Sequence, residues 1–124
     1  MIIKVISVNH KWNLYNKLHI FNGHDENFLG GLAMGADGAI GSTYNIMADK
    51  FIEIQKLFNE GKMEKARKIQ IEANDIIDVL IEVGVKQGVK YLIEKEYGFT
   101  CGGCRQPFKG LDSSGIQILE SLSD

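Results

Sequence analysis

Two polar clusters each follow a short apolar run and a glycine. His19-Ile20-Phe21 leads into Asn22-Gly23-His24-Asp25-Glu26, and Gly38-Ala39-Ile40 leads into Gly41-Ser42-Thr43-Tyr44-Asn45. Ionised carboxylates accept hydrogen bonds, while hydroxyls donate and accept them. Asp25, Glu26, Ser42 and Thr43 therefore offer a ligand both kinds of partner. Their setting makes them a candidate site, because strand, polar turn and helix, repeated, is the grammar of parallel βα units. Ligands of such units sit beyond the carboxyl ends of the strands, where loop side chains and helix N-termini converge. Both clusters fall at that end. The same residues also have simpler uses. An Asp25-Glu26 pair compensates the dipole of a following helix, and Ser42 or Thr43 serves as an N-cap. The two uses are compatible, with Thr43 capping while Ser42 faces the ligand.

The remaining candidates point to structure rather than chemistry. Cys101-Gly102-Gly103-Cys104 is a CxxC pair, a spacing used in redox and zinc sites. It stands in a loop after a helix, no second cysteine pair completes a tetrahedral set, and His10, His19 and His24 are remote in sequence. It reads as a structural loop. The glycine-rich stretch from Gly30 to Gly41 lacks the phosphate-loop pattern and the dinucleotide spacing, so no nucleotide site is expected. No metal and no cofactor is assigned.

The elements that must position the clusters follow from apolar periodicity. Residues 1–9 read as a β-branched strand, Lys17 to Phe21 as a second, and Asp37 to Gly41 as a short third strand of small residues. His24 or Asp25 starts a helix from Glu26 to about Met34, with Gly35 as its terminator. From Thr43 the pattern is helical, with Met47, Phe51, Ile54 and Phe58 on one face, and Asn59-Glu60-Gly61 ends it. A long helix spans about Lys62 to Val83, with Ala66, Ile69, Ala73, Ile76, Leu80 and Val83 in its stripe and charges opposite. Gly84 ends that helix. Another runs from about Lys86 to Tyr97, and Asp112 or Ser113 caps a final short one.

With 124 residues and 44% hydrophobic content, the chain holds one domain with a real core. A net charge of -2 gives no basic footprint for nucleic acid. No apolar run reaches the ~18 residues of a membrane span. The short start, interrupted by Lys4, does not read as a signal peptide. A cytoplasmic protein of α/β class is expected.

Phe21-Asn22-Gly23-His24-Asp25-Glu26, then the run from Gly35 to Met47 with its Gly41-Ser42-Thr43-Tyr44-Asn45 element, closely resembles the C-terminal part of the N-acetylneuraminate lyases (sialic acid aldolases). The likeness continues from Gly61 to Asn74 and ends in Cys104-Arg105-Gln106-Pro107-Phe108. It covers roughly Lys17 to the C-terminus. The related dihydrodipicolinate synthases look different at the Ser42 strand end. The resemblance implies the C-terminal half of a (β/α)8 TIM barrel, with two to three parallel strands in residues 1–60, followed by a helical extension in residues 61–124, as a single partial domain. It implies reversible cleavage of N-acetylneuraminate to N-acetylmannosamine and pyruvate through a lysine Schiff base, without a metal. By motif, Gly23 offers backbone contacts to the sugar chain, Asp25 and Glu26 accept from its hydroxyls, and Ser42 bonds its glycerol-like tail. A polyol needs convergent acceptors and donors, so the chemistry agrees. His24 stands where the family usually has Tyr or Phe.

A whole (β/α)8 barrel takes ~250 residues. The strands carrying the family's Gly-Ser-Thr loop and tyrosine have no counterpart here. Lys4 matches the strand-six lysine only loosely, since too few residues separate it from Asn22 for the intervening helix. It reads as an exposed lysine, and no catalytic residue is assigned. Open strand edges imply self-association or pairing with a separately encoded N-terminal half. The alternatives are a non-catalytic ligand-binding or interaction module, and an inert truncated product.

Overall fold

The computed structural model describes residues 19–123. The strand expected over residues 1–9, together with Lys4, His10 and Trp12, lies outside the described residues. Two strands, β1 (Phe21–Asn22) and β2 (Gly38–Ala39), pair in parallel with Phe21 opposite Gly38 and Asn22 opposite Ala39. They are shorter than the sequence pattern suggests, but the bonding continues beyond them. The Asp37 N–H donates to the Ile20 carbonyl at 2.8 Å, the Ile40 N–H donates to the Asn22 carbonyl at 3.0 Å, and the Ile20 N–H donates to Asp37 Oδ2 at 2.7 Å.

After β1 comes a 3-10 turn, Asp25–Asn27, then helix α1 (Phe28–Ala33). After β2 come α2 (Tyr44–Asn59), α3 (Met63–Val83), α4 (Val85–Tyr97) and α5 (Ser113–Glu120), with a closing 3-10 turn, Ser121–Ser123. Gly84 separates α3 from α4 at φ 101°, a left-handed conformation that disfavours any side chain, so the long apolar pattern breaks there. One departure was not foreseen: Met47 lies inside α2 at φ -151° and kinks it after its first turn.

The apolar stripes bury in large part, with Phe58, Ile69, Ile76 and Val83 half-buried and Leu57 and Ile77 turned fully inward. Phe28, Leu32, Met47, Phe51, Ile54 and Leu57 pack against Ala66, Ala73 and Ile77, so α1, α2 and α3 share one core. Phe28 meets Tyr44 and Phe51 edge to face within it, its centroid 5.7 Å from that of Phe51, while Tyr44 and Phe51 lie tilted against each other at 4.2 Å. The alanines of α3 let α2 approach closely. A second core of Leu80, Val89 and Leu119 joins α3, α4 and α5. Each fully buried leucine or isoleucine stabilises the fold by about 1.5–3 kcal/mol. Asp112 caps α5, its Oδ1 accepting the Gly115 N–H at 2.8 Å. Among the described residues no helix is long and apolar enough to cross a membrane.

Candidate functional site

The first cluster does not form the continuous helix expected from Glu26 to Met34. Asn27 leaves helical geometry at φ -125°, ψ 29°, which separates the 3-10 turn from α1. Neither His24 nor Asp25 caps the helix that follows it. The Asp25 carboxylate reaches instead across to the second strand tip, where Oδ2 accepts the Thr43 hydroxyl at 2.6 Å and the Thr43 N–H at 3.1 Å. Thr43 occupies the N-cap position of α2 but makes no side-chain capping bond, because its hydroxyl is turned to Asp25. The expectation of carboxylate at a helix N-terminus is met, but at the N-terminus of α2 rather than of the helix next in sequence.

Asp25 and Thr43 are both buried, so this clasp ties the two strand tips out of water. The approach is close enough that a Cβ at Gly41 would overlap the Asp25 carboxylate. Glycine is required at that position for contact, whatever its backbone angles. The Tyr44 hydroxyl beside the clasp is held well above the ordinary tyrosine range, first by burial and then by the negative charges of Asp25 and Glu26. It stays a neutral phenol. Among the described residues neither this hydroxyl nor the buried Asn22 Oδ1 has a hydrogen-bond partner.

Gly23, Asp25, Glu26 and Ser42 line one side of a cleft of about 330 Å³ at the carboxyl ends of β1 and β2. Ile77, Ile81 and Val85, from the end of α3 and the start of α4, line the other side. Within it, Ser42 is exposed and Glu26 half-buried. Glu26 Oε1 lies 3.5 Å from His24 Nδ1. Asp25 enters the cleft with one oxygen already engaged by Thr43. The Ser42 carbonyl accepts the Asn45 side-chain amide at 2.8 Å, which holds the turn while leaving the Ser42 hydroxyl without a protein partner among the described residues. A half-apolar, half-anionic cleft of this kind offers acceptors to hydroxyl groups and an apolar wall to carbon.

Sequence reasoning missed the cleft's apolar wall and a second polar layer behind it. Gln70 and Asn74 of α3 reach the backbone of the Asp25–Glu26 turn. Gln70 interrupts the buried series Ala66, Ala73, Ile77, Leu80 at helical spacing, and a polar residue in an apolar stripe is the signal that marks it.

The CxxC loop lies at a different cavity, of about 240 Å³, lined by Lys90, Glu94 and Cys104. Both cysteines are free thiols. The Lys90 ammonium donates to the carbonyls of Cys101, Gly102 and Gly103 at 3.1, 3.1 and 3.2 Å. Glu94 Oε1, one helical turn on, accepts the N–H groups of Cys101 at 2.6 Å and Gly102 at 3.1 Å. The loop backbone is thereby stitched to α4. Among the described residues no group of three or more His, Cys, Asp or Glu is arranged to hold a metal ion.

The dihydrodipicolinate synthetase family model matches residues 4–122. The N-acetylneuraminate lyase of Escherichia coli (strain K12 / DH10B) is 42% identical over 106 residues, which are 86% of this chain and 36% of that protein. The chain therefore spans just over a third of the curated relatives it matches. Among solved structures, the catalytic lysine mutant of Ruminococcus gnavus sialic acid aldolase superposes with a TM-score of 0.87 at 30% identity, covering 94% of this chain and 39% of that one. The N-acetylneuraminate lyase from Fusobacterium nucleatum complexed with pyruvate gives 0.84 at 34% identity, covering 94% and 40%. The β1–β2 pair and its helices thus correspond to one segment of a TIM-barrel fold. Matched in sequence from Lys4 to Leu122 and in backbone over most of its length, the chain belongs to the dihydrodipicolinate synthetase family.

Proposed function

We propose that this chain supplies the sugar-binding side of a site that reversibly cleaves N-acetylneuraminate to N-acetylmannosamine and pyruvate. In this reading the Gly23 backbone contacts the sugar chain, Glu26 and the remaining oxygen of Asp25 accept from its hydroxyls, and Ser42 bonds the glycerol-like tail. The Schiff-base lysine is assigned to no residue of this chain, and the reaction uses no metal. The carrying observation is convergence. Residues from two strand tips, chosen by motif, line one cleft at the carboxyl ends of parallel strands, in a chain whose relatives are named N-acetylneuraminate lyases.

The reading includes a second protein surface over the open side of the sheet. Among the described residues Phe21 is 54% exposed and Ile40 71% exposed, and apolar side chains at the outer edges of a strand pair seek a cover. A second copy or a separately encoded N-terminal half fills that role, in a cytoplasmic setting. Titration of the isotope-labelled chain with N-acetylneuraminate tests the sugar side. Amide shifts are expected at Gly23, Glu26 and Ser42, and their absence at saturating sugar overturns the reading. Borohydride reduction in the presence of labelled pyruvate tests the missing amine. No adduct is expected on the chain alone, whereas an adduct on Lys4 would place the nucleophile within it.

A further inference from the structure

We infer that Gln70 and Asn74, on the helix outside the βα units, are positioning residues for the Asp25–Glu26 carboxylate pair; the inference rests on the sugar-site reading for its ligand but not for its geometry. In a straight α-helix starting at Asp25, the Leu29 N–H would bond the Asp25 carbonyl directly. Here the Gln70 carboxamide takes the Leu29 N–H and shares the Asp25 carbonyl with the Phe28 N–H. Its Oε1 accepts the Leu29 N–H at 3.0 Å and its Nε2 donates to the Asp25 carbonyl at 3.1 Å. The second Nε2 proton goes to Asn74 Oδ1 at 2.9 Å, and Asn74 Nδ2 donates to the Glu26 carbonyl at 3.1 Å. Two side chains one helical turn apart thus hold the carbonyls of both carboxylate residues. The inserted amide spaces the 3-10 turn away from α1. That offset is what frees Asp25 to face Thr43 and Gly41 across the strand tips rather than its own helix. Gln70 is only 7% exposed, so water does not replace it readily.

A merely structural role would change stability without changing where the carboxylates point. The test therefore reads the carboxylates, in Gln70→Leu, Gln70→Glu and Asn74→Ala variants of the whole chain. Gln70→Glu keeps the acceptor for Leu29 and loses both donated bonds. Asn74→Ala removes only the half-buried end of the relay and guards against a Gln70→Leu variant that does not fold. Hydrogen exchange at Thr43 is expected to speed up about tenfold or more in each folded variant, with exchange at Leu80 unchanged. The carboxyl carbon resonances of Asp25 and Glu26 are expected to move. Affinity for N-acetylneuraminate is expected to fall about tenfold in the same variants. Unchanged Thr43 exchange and unmoved carboxyl resonances in folded variants would overturn the positioning role. If exchange and resonances respond while the wild-type chain binds no sugar, the positioning role stands and the sugar reading falls.

Discussion

At the residue scale, the clasp between Asp25 and Thr43 joins the two strand tips. It satisfies a buried carboxylate and an N-terminal amide of α2 at once. Thr43→Val keeps the shape and removes the hydroxyl, leaving a buried acceptor short of a donor. A loss of about 1–3 kcal/mol in urea-measured stability is expected, with Thr43→Ser close to wild type. Equal stability of the Val and Ser variants would show that the hydroxyl bond contributes nothing. Tyr44 gives a pH prediction. Its phenol is raised above the ordinary range in the folded chain, so the folded state holds this proton more tightly than the unfolded one. The resulting stability is complete below the ordinary tyrosine value of about 10 and is lost as pH climbs above it. The ring-carbon resonance of Tyr44 and circular dichroism should therefore change together on alkaline titration, and Tyr44→Phe should raise the pH of unfolding. Ionisation of Tyr44 near its ordinary value in an intact fold would contradict this.

At the element scale, α3 does two jobs along its length. Its first half presents Ala66 and Ala73 to α2 and inserts Gln70 into the carboxylate turn. Its second half buries Leu80 with Val89 and Leu119, while Ile81 beside it is exposed on the cleft. Leu80→Ala is expected to cost about 2–5 kcal/mol by denaturant unfolding, because three helices meet on that side chain and cannot all close the space. Ile81→Ala, by contrast, should stay within about 0.5 kcal/mol of wild type. A small effect at Leu80 would mean that α4 and α5 rearrange independently of α3. The sequence located this helix and its stripe closely, because a 3.6-residue period repeated over many turns is a strong signal. It located the short elements less well. Two-residue strands and a turn interrupted at Asn27 are set by bonds from distant residues, and no local pattern encodes them.

For the whole molecule, the described part of the sheet leaves two large apolar side chains uncovered. Phe21, within β1, and Ile40, just past β2, are largely exposed among the described residues. Concentration-dependent association is expected in sedimentation, and Ile40→Lys should weaken it by about tenfold or more, since a charge on a strand edge opposes edge pairing. A monomer at all concentrations, in wild type and variant alike, would remove self-association from the reading and leave pairing with a different chain. The βα pattern brought out Asp25, Glu26 and Ser42, the motif added Gly23, and the fold sets all four on one cleft. Their individual duties inside it were not legible, because a carboxylate reads the same whether it meets a ligand or a threonine.

Over the described residues, sequence by itself determined the order of strands and long helices and most of the apolar faces, and it determined the family, since periodicity, glycine punctuation and motif are local properties of the chain. Tertiary structure alone decided that Asp25 serves the helix after the other strand, that Gly41 must lack a side chain, and that Gln70 and Asn74 stand behind the carboxylates. Those outcomes depend on distances between residues tens of positions apart, which exist only once α3 has packed against the turn.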